Sequence, residues 1–281
     1  MTLPYDMGNA GDLLKHGVLA EFVRWQCGLG MPLRFMDPFG GEPWEQPVRE
    51  VEQRVRALEP SALHAAQSDI DRHRYYGSSL LVRRAAEAVG GRRVSVLGGD
   101  ACAQRRERLR ACGVTMLDEA LPEIGVSSER DRYDGYHAFE VIARNVMEGD
   151  LALIDPFADG FIEQRARVVV PQMAAMAERA TVMLFMLNEN PQSPTARRFD
   201  ALLADLITGA WRVTCPPLKG TGIRGESKYH AEVVLAASLL RDPERERDVA
   251  DLKKRLTDYL KRLARVLGVP TERLELRIVG H

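Results

Sequence analysis

Over residues 12–25 the apolar positions Leu13, Leu14, Val18, Leu19, Phe22 and Val23 recur at helical spacing, with Asp12 available as a first-turn acid. Gly28, Gly30 and Pro32 break that helix. Residues 33–36 then read as a short strand that delivers Asp37 to its C-terminal end and opens into Pro38-Phe39-Gly40-Gly41. From 44 to 76 the pattern is helical but charged and irregular, which predicts an insertion or lid rather than a layer of the central core. Gly77-Ser78-Ser79 precedes an amphipathic helix over 80–89. The chain then alternates: strand 93–97, a strongly basic helix 101–111, strand 114–117, helix 136–146, and an apolar strand 151–154 ending in Asp155. Helix 163–177, strand 181–187, helix 195–206 and strands 211–215 and 231–237 follow, before an amphipathic helix 249–267 and a final strand 274–279. Strands alternating with helices of ten or more residues predict an α/β fold, a mainly parallel sheet with helices on both faces. The reading is one domain over 1–281 that carries the insertion at 44–76, with no repeat and no low-complexity tract.

Composition narrows the classes. A chain of 281 residues that is 45% hydrophobic and 28% charged can bury a substantial core, which excludes a disordered or fibrous protein. With aromatics at 6%, that core is aliphatic. Thirty-nine basic against forty acidic residues give a net charge of −1, so any phosphate-binding face is a local patch. Cys27, Cys102, Cys112 and Cys215 lack zinc-site spacing, and His64, His73, His137 and His230 share no metal spacing, so no metal is expected. The N-terminus lacks the basic, apolar and small-residue pattern of a leader, and no run approaches about 18 apolar residues, from which a cytoplasmic protein without membrane association is expected.

In a doubly wound sheet, ligands bind beyond the carboxyl ends of the strands, where the strand order reverses. Asp37, Asp134 and Asp155 fall after strands or in a loop leading into a helix, and Ser78 starts a helix after a glycine. Together they outline a nucleotide-type pocket, although each alone also serves as an ordinary turn or cap residue. Gly40-Gly41 is not a full dinucleotide fingerprint and also reads as a plain turn. The run Arg105-Arg106-Glu107-Arg108-Leu109-Arg110 fits a solvated helix face or an RNA contact. The segment 219–228 is glycine-rich with Lys219, Arg224 and Lys228, and fits a phosphate clamp or a long hairpin; Asn188-Glu189-Asn190-Pro191 also follows a strand and fits the substrate side.

Asn9-Ala10-Gly11-Asp12-Leu13-Leu14-Lys15-His16 resembles the N-terminal Asn-x-x-Asp-x-x-Lys-His segment of the RlmJ family of bacterial 23S ribosomal RNA adenine methyltransferases. The order continues. Met36-Asp37-Pro38-Phe39-Gly40-Gly41 stands at that family's first-strand acid and small-residue loop, and Arg74-Tyr75-Tyr76-Gly77-Ser78 resembles its Tyr-Tyr-Pro-Gly-Ser with one residue fewer. Asp134-Gly135-Tyr136 resembles Asp-Gly-Phe, and Leu153-Ile154-Asp155-Pro156 resembles Ile-Asp-Pro-Pro. The three-Cys-motif partner proteins share some of these blocks. The resemblance implies a Rossmann-like class I methyltransferase core that uses S-adenosylmethionine, with an RNA partner of ribosomal type. It implies that Lys15 lies close to the cofactor carboxylate and that His16, Asp37, Phe39, Gly41, Ser78, Asp134 and Gly135 line the cofactor. Asn9, Lys219, Arg224 and Lys228 fall to the substrate, and Asp155, Pro156 and Phe157 meet the target amine. A carboxylate and a proline carbonyl that accept the two protons of an adenine-type amine favour its lone pair as nucleophile, and the rest is orientation. Such a base is flipped or already unpaired. This sequence departs twice. Ala158 stands where the family carries an aromatic that stacks on the base, and the ribose-binding acid after the second strand is absent near Val96, with Asp100 as the available substitute. Adenine-amine methylation is thus the leading expectation. A catalytically degenerate methyltransferase fold that binds a nucleotide, RNA or protein is the alternative, and a dinucleotide oxidoreductase ranks third.

Overall fold

The computed structural model describes residues 7–91, 94–125, 133–156, 166–188, 194–217 and 230–279. Helix α1 (Ala10–Gly28) starts where Asn9, in extended conformation, accepts the Asp12 N–H at 3.0 Å. Strand β1 (Leu33–Asp37) follows, then β2 (Trp44–Glu45), α2 (Arg49–Ala57), α3 (Ala62–Ala66), β3 (Tyr75–Tyr76) and α4 (Ser78–Glu87). The series continues with β4 (Val94–Gly98), α5 (Ala103–Ala111), β5 (Thr115–Met116), α6 (Leu117–Ala120), α7 (Gly135–Asn145) and β6 (Asp150–Ile154). It ends with α8 (Ala166–Ala177), β7 (Thr181–Asn188), α9 (Pro194–Leu206), β8 (Trp211–Cys215), β9 (His230–Ala236), α10 (Glu246–Leu267) and β10 (Leu276–Ile278).

The main sheet has eight strands in the order β10-β8-β9-β7-β6-β1-β4-β5. The strands β1, β4, β5, β6, β7 and β8 run one way, while β9 and β10 are reversed. The order turns back at β1 and β6, which makes their carboxyl ends the ligand crevice of a doubly wound sheet. With the reversed β9 set between β7 and β8, this is a Rossmann-like α/β sheet, mainly parallel with helices on both faces, as the alternation predicts. Arg34 and Asp150 face each other in the β1–β6 register and form an ion pair, with Arg34 Nε donating to Asp150 Oδ1 at 3.0 Å. That pair lies at the amino-terminal ends of both strands, opposite the crevice.

Alternate strand residues supply two cores. Phe35, Leu151, Leu153, Met183 and Phe185 pack with α1, α4 and α10 on one face. Met36, Ala152, Ile154, Val182 and Leu184 pack with α7, α8 and α9 on the other. Gly17 is required by the first packing: a Cβ there would lie 1.9 Å from Cζ of Tyr259, whose hydroxyl donates to the Leu13 carbonyl at 2.5 Å and docks α10 on α1.

Two expectations change. The strand expected over 114–117 is only two residues long, because Leu117 begins α6, whose first turn holds Asp118 and Glu119. The segment 44–76 is helical in its interior, but β2 and β3 pair at its ends and it does not stand off as a lid. Val51, Val55, Leu58 and Leu63 are fully buried in the core shared with α1. Among the described residues no helix is long and apolar enough to cross a membrane.

Candidate active site

The first turns of α1 lie over the crevice. Lys15 is buried, and its Nζ donates to Asp155 Oδ2 at 2.6 Å and lies 3.2 Å from Asp12 Oδ1 and 5.0 Å from the centroid of the Phe185 ring. Burial opposes the ammonium charge, but Asp155 and then Asp12 outweigh it and lift Lys15 above the ordinary lysine value. Asp12 in turn accepts the Gly8 N–H at 2.9 Å. Asp155, with its side chain 24% exposed, is pushed up by burial and pulled back by Lys15. Next to Lys15 on the helix, His16 places Nδ1 2.9 Å from the Tyr75 hydroxyl and Nε2 3.3 Å from Ser78 Oγ. Burial and the Lys15 charge lower His16 to about 3, so its ring is neutral and offers one donor and one acceptor.

Asp37 ends β1 fully inside the protein, with one oxygen accepting the Phe39 N–H at 3.1 Å. Burial first, then the neighbouring Asp155, raise it to about 7 against the pull of Lys15. A raised carboxyl binds protons in the folded state that the unfolded chain releases, so it lowers stability as pH rises from the ordinary value of 3.8 to 7. Asp37→Asn keeps the acceptor for Phe39 and removes this penalty. The variant is expected to gain about 2 to 3 kcal/mol on wild type between pH 5 and pH 8. Urea unfolding at both pH values checks it, and a constant difference would dismiss the raised carboxyl.

On the far side of β1 the turn 38–41 packs against the start of α7. A Cβ on Gly135 would lie 2.6 Å from the Phe39 ring, and the Phe39 and Tyr136 rings meet edge-on at 4.9 Å. Asp134 is exposed and caps α7 by accepting the Tyr136 N–H at 2.9 Å. Beyond β4, Gly99 admits no side chain, since its Cβ would lie 2.0 Å from the Tyr133 hydroxyl. Among the described residues that buried hydroxyl has no hydrogen-bond partner. Asp100 is buried beside it, accepts the Cys102 N–H at 2.6 Å and faces Arg105 at 3.6 Å. Gly41 opens onto free space. Among the described residues no cluster of metal-ligating side chains occurs.

No protein-family model matches this sequence, and no curated protein matches it either. The crystal structure of protein LPL1258 from Legionella pneumophila str. Philadelphia 1, described under the family model DUF519, aligns over 90% of this chain and 93% of its own with a TM-score of 0.58 at 12% identity. The likeness is one of fold.

Within that fold, Lys15, His16, Asp37, Ser78 and Asp155 converge, with Asn9 capping the helix that carries the first two. Phe39, Gly41, Asp100, Asp134 and Gly135 occupy the rim around the ends of β1 and β4, and Pro156 is buried behind Asp155. Phe157, Lys219, Arg224 and Lys228 lie outside the described residues, as do residues 189–191. Sequence reasoning left Phe185 and Tyr133 out, and it counted Asp12 as a first-turn acid and a member of the Asn9–His16 motif without a contact of its own in the site. Phe185 shares the two-residue period of Met183 on the α1 face of β7, a signal that becomes useful once β7 is placed beside β6. Tyr133 carries no sequence signal beyond its place before Asp134.

Proposed function

We propose that this chain is an S-adenosylmethionine-dependent methyltransferase acting on the exocyclic amine of an adenine in RNA, of ribosomal type. The observation that carries the reading is the meeting of Lys15, Asp37 and Asp155 at the switch point of a methyltransferase-like sheet. The residues present fit the cofactor. Lys15 offers a cation for its carboxylate, Asp100 and the Tyr133 hydroxyl, which has no hydrogen-bond partner among the described residues, offer hydrogen bonds to its ribose or base, and Phe39 and Gly135 shape the wall between them. S-adenosylmethionine, when bound, supplies a methyl group on a positively charged sulfur. The protein's part is to hold and aim: His16 and Ser78 fix the helix against the crevice, and Asp155 accepts a hydrogen bond from an N–H of the amine, which favours the nitrogen lone pair as nucleophile. The basic residues Lys219, Arg224 and Lys228 serve the RNA backbone in this reading.

One observation favours a second reading, a binding protein that transfers no methyl group. Asp155 Oδ2 is already taken by Lys15 at 2.6 Å, so the amine must share or displace that partner. Calorimetry with S-adenosylmethionine, S-adenosylhomocysteine and a nicotinamide dinucleotide, followed by a radiolabelled transfer assay on RNA, separates the readings. Binding of the first two with transfer is the expected result. Binding without transfer leaves the second reading, and binding of the dinucleotide alone defeats the methyltransferase reading.

A further inference from the structure

Trp44 stands apart from the other aromatics. It is 40% exposed, whereas Trp25 and Trp211 are 3% and 4%, and among the described residues no other indole, phenol or phenyl ring is exposed. Its backbone is pinned: Trp44 pairs with Tyr76 across β2 and β3, and the Gly77 N–H donates to the Pro43 carbonyl at 3.0 Å. Arg74, the residue before β3, sets its guanidinium 4.8 Å from the centroid of the Trp44 ring. Among the described residues Arg74 has no ion-pair partner within 4 Å, and its charge acts on the ring, on solvent and on the nearby Asp69 carboxylate.

Both strands of this clip run into the candidate site. Upstream of Trp44 the chain passes through Glu42 to the turn after Asp37, and downstream of Tyr76 it enters Gly77 and Ser78. Glu42 is held by Arg105 at 3.3 Å and by the well-exposed Arg108 at 2.8 Å, which brings the basic helix α5 beside the same rim. A docking surface for a protein would need a contiguous apolar patch, but near Trp44 in sequence the only other large exposed apolar side chain among the described residues is Val48. A rigid π surface backed by the Arg74 guanidinium matches a stacked base and its phosphate instead.

We propose that Trp44 and Arg74 form a stacking platform for an unpaired nucleobase of a single RNA strand held beside the active site. The proposal rests on the RNA-acting reading, but its test requires neither cofactor nor methyl transfer. Because the other two tryptophans are buried, the fluorescence change on binding reports mainly Trp44. Titration with an unpaired adenosine decamer of RNA is expected to quench that fluorescence. Trp44→Ala should weaken binding by roughly five- to a hundredfold, the range of one lost base stack. Trp44→Phe, which keeps a ring, should bind within a few fold of wild type, and Arg74→Ala should flatten the salt dependence by about one charge. Equal affinity for wild type and a folded Trp44→Ala overturns the platform. So does a wild type that leaves the decamer unbound, which would pass the exposed ring to a protein partner. Quenching by the decamer in a protein that binds no S-adenosylmethionine keeps the platform and removes the methyl-transfer reading alone.

Discussion

Asp155→Asn is expected to lower methyl transfer to RNA a hundred- to a thousandfold while leaving a folded protein that still binds S-adenosylmethionine. The substitution keeps the shape at the end of β6 and keeps one oxygen able to accept from Lys15, which now lies 2.6 Å from Oδ2. What it removes is the second acceptor. In the proposed reaction the amine and Lys15 both draw on this one carboxylate, and an amide satisfies only one of them. Loss of one preorganised partner at a reacting centre typically costs about 2.7 to 4 kcal/mol, which is the stated range in rate. A radiolabelled transfer assay on total RNA, run beside calorimetry of the same preparations, measures it. Unreduced transfer by the variant would remove Asp155 from the reaction.

Much of the fold was legible because the apolar periods are long and end on clear breakers. Strand 211–215 has the same bounds in the structure, and Asp37 stands at the end of β1 as the Pro38-Phe39-Gly40-Gly41 turn implies. The core role of 44–76 was hidden by charge. Glu52 and Arg54 are buried in α2 beside Val51 and Val55, because His73 and Glu50 pair with them, and a charged pattern reads as surface until its partners are known. The arginine run resolves the same way: Arg105 and Arg108 reach Glu42, and Arg110 pairs with Glu119 at 2.7 Å, so these side chains are tied to acids on the protein's own surface. In the site, the individual acids at strand ends could be found from turns, but their coupling could not. Lys15 and Asp155 are separated by 140 positions, and only the strand order that sets β6 beside β1 brings them together.

That coupling carries the other large effect. Lys15→Met is expected to destabilise the fold by about 3 to 5 kcal/mol at pH 7, the usual cost of leaving a buried charge without its partner. Methionine fills most of the volume beside Phe185, so packing changes little and the loss is electrostatic. Asp12 and Asp155 would then share the crevice with Asp37 without the cation that Lys15 supplies. Their folded-state pKa values rise, so the folded variant holds protons that the unfolded chain gives up. By linkage its stability falls as pH increases and recovers on acidification, which makes the difference from wild type smaller at pH 5 than at pH 7. Adding Asp155→Asn removes one of the stranded charges and should restore part of the loss, a coupling opposite in sign to two independent defects. Urea unfolding of wild type, both single variants and the double variant at the two pH values measures each term. A loss that is the same at pH 5 and pH 7, or a double variant weakened by the full sum of the singles, would mean that Lys15 is held by packing and that the three carboxylates do not depend on its charge.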